Sequence, residues 1–466
     1  MADLSGLSPR FAETRFHPFW QETVTDPLHL PLLNGPQSCD LAIVGAGFTG
    51  LWSALKARER HPDARIIVLE GRRLAEAASG RNGGFCAPSI SHGVGNALAR
   101  WPDEAETLVR LGLDNLDALE RDLSRYGIAA EFERTGKINL AATPWQAEGL
   151  AQMRAAHARF GIDSRLMTGP ELAAKLLSPV YPHGLYEENY AYVNPARLVH
   201  GLARACLNAG VEIYENSRVT ALRDSGEALR LTTPGGEVTA GRVALATNAD
   251  MPLLRRLRRT VVPIYDYTIM TEPLSDAQLA AIGWTGRHGV ADSGNQFHYS
   301  RKTADNRILW GGYDAIHYFG SKRAAHLLNR AESYTRLETN FLAAFPALDG
   351  VRFSHAWGGI IDTSARLTFF VGTAFDGRLA YALGFTGQGV SASRFAALTM
   401  LDHLDGLDSE RTALRMSHRL PVPFPPEPLR SAAIGWAQAD LAKEDRTGRR
   451  SAMLRVMDRL GIGFGS

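Results

Sequence analysis

Three cysteines in 466 residues, Cys39, Cys86 and Cys206, lie far apart and show neither C-x-x-C nor Cys/His metal spacing. That excludes a disulfide scaffold and fits a reducing compartment, so a cytoplasmic location is expected. The sequence also lacks an apolar run long enough to span a membrane. Its longest candidate, Leu41 to Ala57, is interrupted by Gly45, Gly47, Gly50 and Lys56. Residues 1–35 carry Arg10, Glu13, Arg15, His17 and several prolines, without the charged segment and apolar run of a secretory signal. An excess of one charge is missing as well. Lys and Arg number 51 against 49 Asp and Glu, and a net charge of +2 sets up no long-range field for nucleic acid or an anionic membrane. Neither G-x-S-x-G, H-E-x-x-H nor a Walker loop occurs, so hydrolytic and metal mechanisms lack residues and no metal ligand is expected. No internal repeat points to a solenoid.

What is present is a globular composition, 45% hydrophobic and 21% charged. A chain of this length exceeds one ordinary core, which stops growing near roughly 250–300 residues, so two domains are expected. Ser38 to Val44 reads as a buried strand that ends in a glycine turn. Phe48 to His61 reads as a helix stopped by His61-Pro62-Asp63, and Arg65 to Leu69 as a second strand. Together they spell one right-handed βαβ unit. Helices are further expected from about Ala97 to Tyr126, Trp145 to His157, Pro195 to Ala209, Val390 to Leu404 and Leu429 to Lys443. Strands are expected at Phe132–Ala142, Gly210–Tyr214 and Arg242–Ala246, with a hairpin turning at Pro234-Gly235-Gly236 and strand-rich stretches at 259–273, 295–312 and 366–383.

Gly45-Ala46-Gly47-Phe48-Thr49-Gly50 matches G-x-G-x-x-G between the first strand and the helix. Its glycines serve a tight turn, close approach of backbone to a pyrophosphate, and helix–sheet packing. Glu70 lies 20 residues past Gly50 at the end of the second strand, where a carboxylate accepts ribose hydroxyls. The N–H groups opening the helix would hold the pyrophosphate. With Gly71 and Arg72 next to Glu70, these residues form a candidate dinucleotide site.

The following segment, Ala78-Ser79-Gly80-Arg81-Asn82-Gly83-Gly84, resembles the S-G-R-N-G-G loop of the D-amino-acid-oxidase-like flavoproteins, closest in pattern to the gamma-glutamylputrescine oxidase subgroup. The resemblance runs from about residue 15 to residue 404 and implies non-covalent FAD, threaded from the Rossmann turn to the glycine loop beside the isoalloxazine. It includes Tyr192-Val193-Asn194-Pro195-Ala196, Val219 as a position whose backbone meets adenine, and Thr247 and Asn248 in an A-T-N-A turn. It also includes Gly384-Phe385-Thr386-Gly387-Gln388-Gly389, a loop opening a helix whose positive end suits charge developing on a reduced flavin. Substrate-pocket candidates are His298, Tyr299 and Arg301, from a segment where Arg301 matches the family and His298 departs, together with Trp357 and Phe385. Arg301 reads either as a clamp for a substrate carboxylate or as the partner of a nearby acid. Asp362 reads as an exposed turn acid, with a cationic-amine holder as the alternative. Cys86 and His92 lie in no flavin-attachment motif.

The expected fold is α/β, with a Rossmann-type FAD-binding domain assembled from discontinuous segments and a mixed-sheet α+β substrate domain. The segmentation is 1–35 as an N-terminal extension; 36–92, 150–258 and 353–418 as the FAD-binding domain; 93–149 and 259–352 as the substrate domain; and 419–466 as a C-terminal extension draped on the surface. The implied activity is oxidation of a small amine, gamma-glutamylputrescine-like or another primary or secondary amine, to an imine that hydrolyses to a carbonyl. Alternatives are an amino-acid or N-methyl amino-acid oxidase or dehydrogenase, a non-catalytic FAD-binding subunit, and an NAD-dependent dehydrogenase. The electron acceptor and oligomeric state stay open.

Overall fold

The computed structural model describes residues 4–463. Strand β1 (Gln37–Val44) runs parallel to β2 (Ile66–Leu69) and to Gly236–Leu245. Glu212–Tyr214 continues the sheet beyond β2. On the other edge the antiparallel pair Leu229–Thr233 and Ala221–Asp224 covers the first half of Gly236–Leu245, while Leu379–Leu383 and Phe370–Ala374 cover its second half. The last residues of β1 and all of β2 are buried on both faces. This is why the sequence shows continuous aliphatic runs there and no alternation. Helix α1 (Phe48–Arg60) crosses between β1 and β2, with every residue from Phe48 to Ala57 buried.

The second sheet has eight strands. Its central part is β3 (Val261–Thr271), β4 (His298–Lys302), β5 (Ile308–Gly312) and β6 (Phe353–Ser364), in the spatial order β6-β3-β5-β4. Gly289–Asp292, Lys137–Ala141, His183–Glu187 and Ser164–Thr168 extend it, and only the contact between the first two of these is parallel. Alternation along β3 separates two faces. Tyr265, Tyr267 and Ile269 join Trp310, Tyr334 and Phe341 in an outer aromatic core, whereas Met270, Leu309 and Trp357 belong to the core shared with α1.

Strand pairing and core packing cut across the expected segmentation in three places. Ser164–Thr168 and His183–Glu187, from the span 150–258, and β6, from the span 353–418, pair within the second sheet. Helix Ala105–Arg125 was expected in the substrate domain, but it contributes Leu108, Leu116, Leu119 and Leu123 to the core around α1. The expected helix from Ala97 breaks at Trp101-Pro102, and the strand from Phe132 breaks at Thr135-Gly136. The C-terminal extension packs its helix Leu429–Thr447 through Ile434, Ala437 and Leu441. Asp445 accepts from the Asn295 and Gln296 N–H groups.

Helix α2 (Gly389–Leu404) lies against α1 and Ala105–Arg125, and a buried charge cluster ties the three together. Asp122 takes Lys56 Nζ and Arg394 Nε at 2.7 Å each, with all three side chains at most 10% exposed. Removing one partner from a buried ionic cluster leaves charge uncompensated and costs about 3–5 kcal/mol. Asp122→Ala is therefore expected to lower the denaturation midpoint by that order, checked by chemical unfolding of the variant beside the wild type; a change below about 1 kcal/mol would mean that the cluster is solvated.

Candidate active site

The register places Val44 beside both Leu69 and Leu245, so three parallel strands end level. Gly45 N donates to Leu69 O at 2.8 Å, and Ala246 N to Val44 O at 2.9 Å. The chain segments leaving these strands thus meet in one crevice at the carboxyl edge of the sheet, where open α/β sheets bind ligands. Gly45 has φ +104, and a Cβ there would lie 2.5 Å from Ala246 O. A Cβ on Gly50 would lie 1.8 Å from Gly45 O, and one on Gly47 would lie 2.7 Å from Ser79 Oγ. No side chain of Gly47 can cap α1, and Phe48 N, in its first turn, meets Ser79 Oγ at 3.0 Å. Glu70 accepts from Ala46 N at 2.8 Å and from Arg72 N at 2.9 Å, and burial raises its pKa. Each of its oxygens keeps a second acceptor position. Ser217 N donates to Glu70 O, which brings the chain leading to buried Val219 to the same crevice. Thr247 and Asn248, the latter at φ +48, follow Ala246 directly.

The glycine loop is pinned from three sides. Trp357 Nε1 donates to Arg81 O at 2.8 Å, and Trp20 Nε1 to Asn82 O at 2.9 Å. Asn82 folds back on Ala78 O and Ser79 O, and its Oδ1 accepts from Gly84 N at 2.8 Å. Arg301 Nη1 donates to Val193 O at 2.7 Å and reaches Gly83 O and Gly84 O at 3.4 and 3.5 Å. Gly80 is obligatory, since a Cβ would meet Ala75 O at 2.0 Å. Trp20 was not a sequence candidate. It stands on the short helix Phe19–Glu22, whose Glu22 carboxylate gathers His17, His355 and Arg15 at 2.8, 3.3 and 2.5 Å. No motif spacing could have shown this, because His355 arrives from β6.

The third segment, Gly384 to Gly389, opens α2. Gly384 and Gly387 have φ +82 and +86, and Thr386 φ +49. Asp362 is no exposed turn acid. It is 2% exposed within β6, and its Oδ2 accepts from Gly384 N at 2.6 Å. Burial pushes its pKa up to about 7 against the opposing pull of the loop's N–H groups. Gln388 Oε1 is buried without a partner, an acceptor aimed at this loop's surroundings.

Residues 40–402 match the FAD dependent oxidoreductase family. The chain belongs to that family. It is 29% identical over 385 residues to the gamma-glutamylputrescine oxidoreductase of Escherichia coli, covering 81% of this chain and 86% of that one. It is 27% identical over 411 residues to the probable oxidoreductase OrdL of Haemophilus influenzae, covering 86% and 91%. Among solved structures, glycine oxidase from Geobacillus kaustophilus shares the fold with a TM-score of 0.70 at 21% identity, covering 83% of this chain and 100% of that one.

As an FAD-dependent oxidoreductase, the chain has residues that fit the cofactor. The crevice offers glycines where any Cβ would intrude, the start of α1, where Gly47 supplies no capping side chain, for a diphosphate, and a carboxylate at the end of β2 for a ribose. The pinned loop and the orphaned Gln388 oxygen suit a flat heteroaromatic ring with donors and acceptors. Among described residues no helix is long and apolar enough to cross a membrane.

The substrate candidates separate. Tyr299 lies on the face of the second sheet that meets the glycine loop, its Cε2 2.9 Å from where a Gly83 Cβ would stand. Trp357 shares that face. Phe385 stacks on Phe369 at 5.4 Å and is 8% exposed. His298 points the other way, which corrects its assignment to the pocket. It is stacked on Trp310 at 4.4 Å and on Tyr313 at 5.1 Å, and burial pulls its pKa down to about 4. Among the described residues Arg301 makes no ion pair; its Nη1 bonds to backbone carbonyls, its Nε is buried without a partner, and it lies over the rings of Trp20 and Tyr192. Arg81 is likewise held, donating to Glu76 O and Gly358 O.

Two outcomes are expected. Gly50→Ala forces backbone against backbone, so the purified variant should carry much less flavin per chain than the wild type, read from the visible absorbance relative to that of protein; undiminished flavin would refute the cradle. Asp362 binds its proton more tightly folded than unfolded, so the wild type loses stability as pH rises from near 4 through about 7 and no further. Unfolding across that range should show Asp362→Asn gaining on the wild type up to neutrality and holding a constant difference above it.

Proposed function

We propose that this chain oxidises the carbon–nitrogen bond of a small primary or secondary amine, of the gamma-glutamylputrescine type, to an imine that water hydrolyses to a carbonyl. The observation that carries the reading is the fate of Arg301. Oxidation of an α-amino acid calls for a cation to hold the carboxylate beside the reacting carbon, and the planar fork of an arginine serves this best. Arg301 is 2% exposed, its guanidinium lies over the Trp20 and Tyr192 rings and its Nη1 is turned to the Val193, Gly83 and Gly84 carbonyls, while Nε is buried without a partner, so it presents no open fork to the crevice. The gamma-glutamylputrescine oxidoreductase relative supports the same substrate class.

Bound FAD supplies the two-electron acceptor, later reoxidised by oxygen or another carrier. Glu70, the opening turn of α1 and the Thr247-Asn248 turn would hold its nucleotide, and the 79–84 and 384–389 loops its ring. The chain's own contribution is orientation and exclusion of water by Trp357, Phe385 and the sheet above them. The substrate nitrogen must be unprotonated as electrons leave its carbon, because a lone pair has to become the second bond of C=N. FAD is held non-covalently: Cys86 and Cys206 are buried with thiols pushed up to about 12, and His92 is half-buried, desolvation pulling its pKa down to about 4. All three cysteines are free, in keeping with the cytoplasm.

The test is anaerobic mixing of the flavin-loaded protein with primary amines, N-methyl amines and α-amino acids. Bleaching of the visible band by amines lacking an α-carboxylate is expected, at a rate that climbs with pH until the bound amine is deprotonated. Bleaching by α-amino acids alone would replace this reading with the amino-acid one, and a rate indifferent to pH with chemistry limiting would sink the neutral-amine requirement. Acid precipitation should release the flavin to the supernatant.

A further inference from the structure

To the face of the second sheet that meets the glycine loop β3 contributes one acid, Asp266. Asp266, Thr268 and Met270 alternate along β3 and register with Gly359, Trp357 and His355 of β6. Thr268 also registers with Gly311 of β5, which in turn faces Tyr299 of β4. Glycine at 311 is what lets the Tyr299 ring lie flat there, since a Cβ would fall 2.6 Å from Tyr299 Cζ and 2.4 Å from Thr268 Oγ1. On its other side the same ring lies against Gly83, and Phe85 stands edge-on at 5.7 Å. The phenol is thereby fixed with its hydroxyl donating to Asp266 Oδ2 at 2.7 Å, beside Thr268 Oγ1 at 3.1 Å. Asp266 Oδ1 accepts from Tyr267 N at 2.9 Å.

What sets Asp266 apart is the company it lacks. Buried Asp122 has Lys56 and Arg394, Asp402 has Arg60 and Arg411, and Asp314 has Arg330 and Arg336. Among the described residues no cation comes within ion-pair distance of Asp266, so dipoles alone offset its charge. Glu70 and Asp362 also lack an ion pair, but Glu70 is held by the Ala46 and Arg72 N–H groups at the nucleotide end and Asp362 by N–H groups of the 384–389 loop. Asp266 is half-buried, and its cross-strand neighbour Gly359 adds no side chain of its own, the nearest atom to where its Cβ would stand being Arg81 Cβ at 3.7 Å. Burial raises its pKa to about 6, so it is mostly charged at neutral pH and lacks a counterion.

We propose that the Asp266 carboxylate, oriented by Tyr299, is the subsite that receives a positively charged nitrogen of the substrate, an alkylammonium group. This rests on the amine reading above and adds the residue that recognises the amine. A carboxylate facing a glycine-lined gap beside the flavin loop attracts a cation and repels a carboxylate, so it also acts against α-amino acids.

The experiment titrates flavin-loaded protein with tert-butylamine, which has no hydrogen on the carbon bearing nitrogen and cannot be oxidised, and reads binding from perturbation of the visible flavin band. Losing the charged partner of a desolvated pair costs about 2 kcal/mol or more, so Asp266→Asn is expected to bind at least about 30-fold more weakly. Tyr299→Phe, which keeps the charge and loses its orienting hydrogen bond, is expected to weaken binding by about tenfold. Equal affinity of Asp266→Asn and wild type overturns the proposal. If Asp266→Asn retains no flavin, Tyr299→Phe decides alone, with unchanged affinity overturning it. Wild-type bleaching by oxidisable amines is scored separately: bleaching with unchanged affinity in the variants removes the subsite and leaves the amine reading, whereas absence of bleaching removes the reading itself.

Discussion

The hydrogen-bonded register of β1 between β2 and Gly236–Leu245 ends three parallel strands at one height, and the cofactor crevice exists because of it. Level ends bring Gly45, Glu70 and Ala246 together, although they are far apart in the chain. The separation between them is so small that Gly45 and Gly50 have no room for a Cβ. The helix that leaves this point is buried along its first ten residues and therefore needs its few charges matched, which the Lys56–Asp122–Arg394 cluster does. A diphosphate at its start would find backbone N–H groups held by the whole sheet and not by a mobile loop.

The second sheet works by the two-residue period of its strands. One face carries a tyrosine–tryptophan–phenylalanine core, and the other is laid on the glycine loop by Trp357 and Arg301. Because the faces alternate, adjacent residues of one motif part company: His298 enters the outer core while Tyr299 faces the crevice. The loop is thereby clamped between two sheets and the N-terminal helix bearing Trp20. Such a clamp suits a flat ring and leaves the acid of β3 on the face that meets the loop.

Much of the cofactor site was legible in the sequence because its requirements are local. A glycine that must approach a backbone carbonyl, or a helix that must begin uncapped, constrains residues within a few positions of one another. The βαβ unit was read in this way, and the 78–84 loop and the 384–389 turn from their resemblance to a flavoprotein family. The substrate side was less legible. Asp362 read as an exposed turn acid because nothing local shows that β6 runs through the middle of the protein; His298 was grouped with Tyr299 because a motif does not record which way a strand faces. Asp266 carried no motif at all, and Trp20 lies more than fifty residues from the loop it holds.

The sequence by itself pointed to the class of chemistry: a dinucleotide crossover with an acid at the second strand's end, joined to an arginine–glycine loop that resembles that of the D-amino-acid-oxidase-like flavoproteins. Tertiary structure decided which charges are free to meet a substrate. Arg301 is buried against two aromatic rings with its Nη1 on carbonyls, and among the described residues no cation pairs with Asp266 on the crevice face. The physical reason is that a side chain's availability depends on its partners, and those partners come from strands far away along the chain.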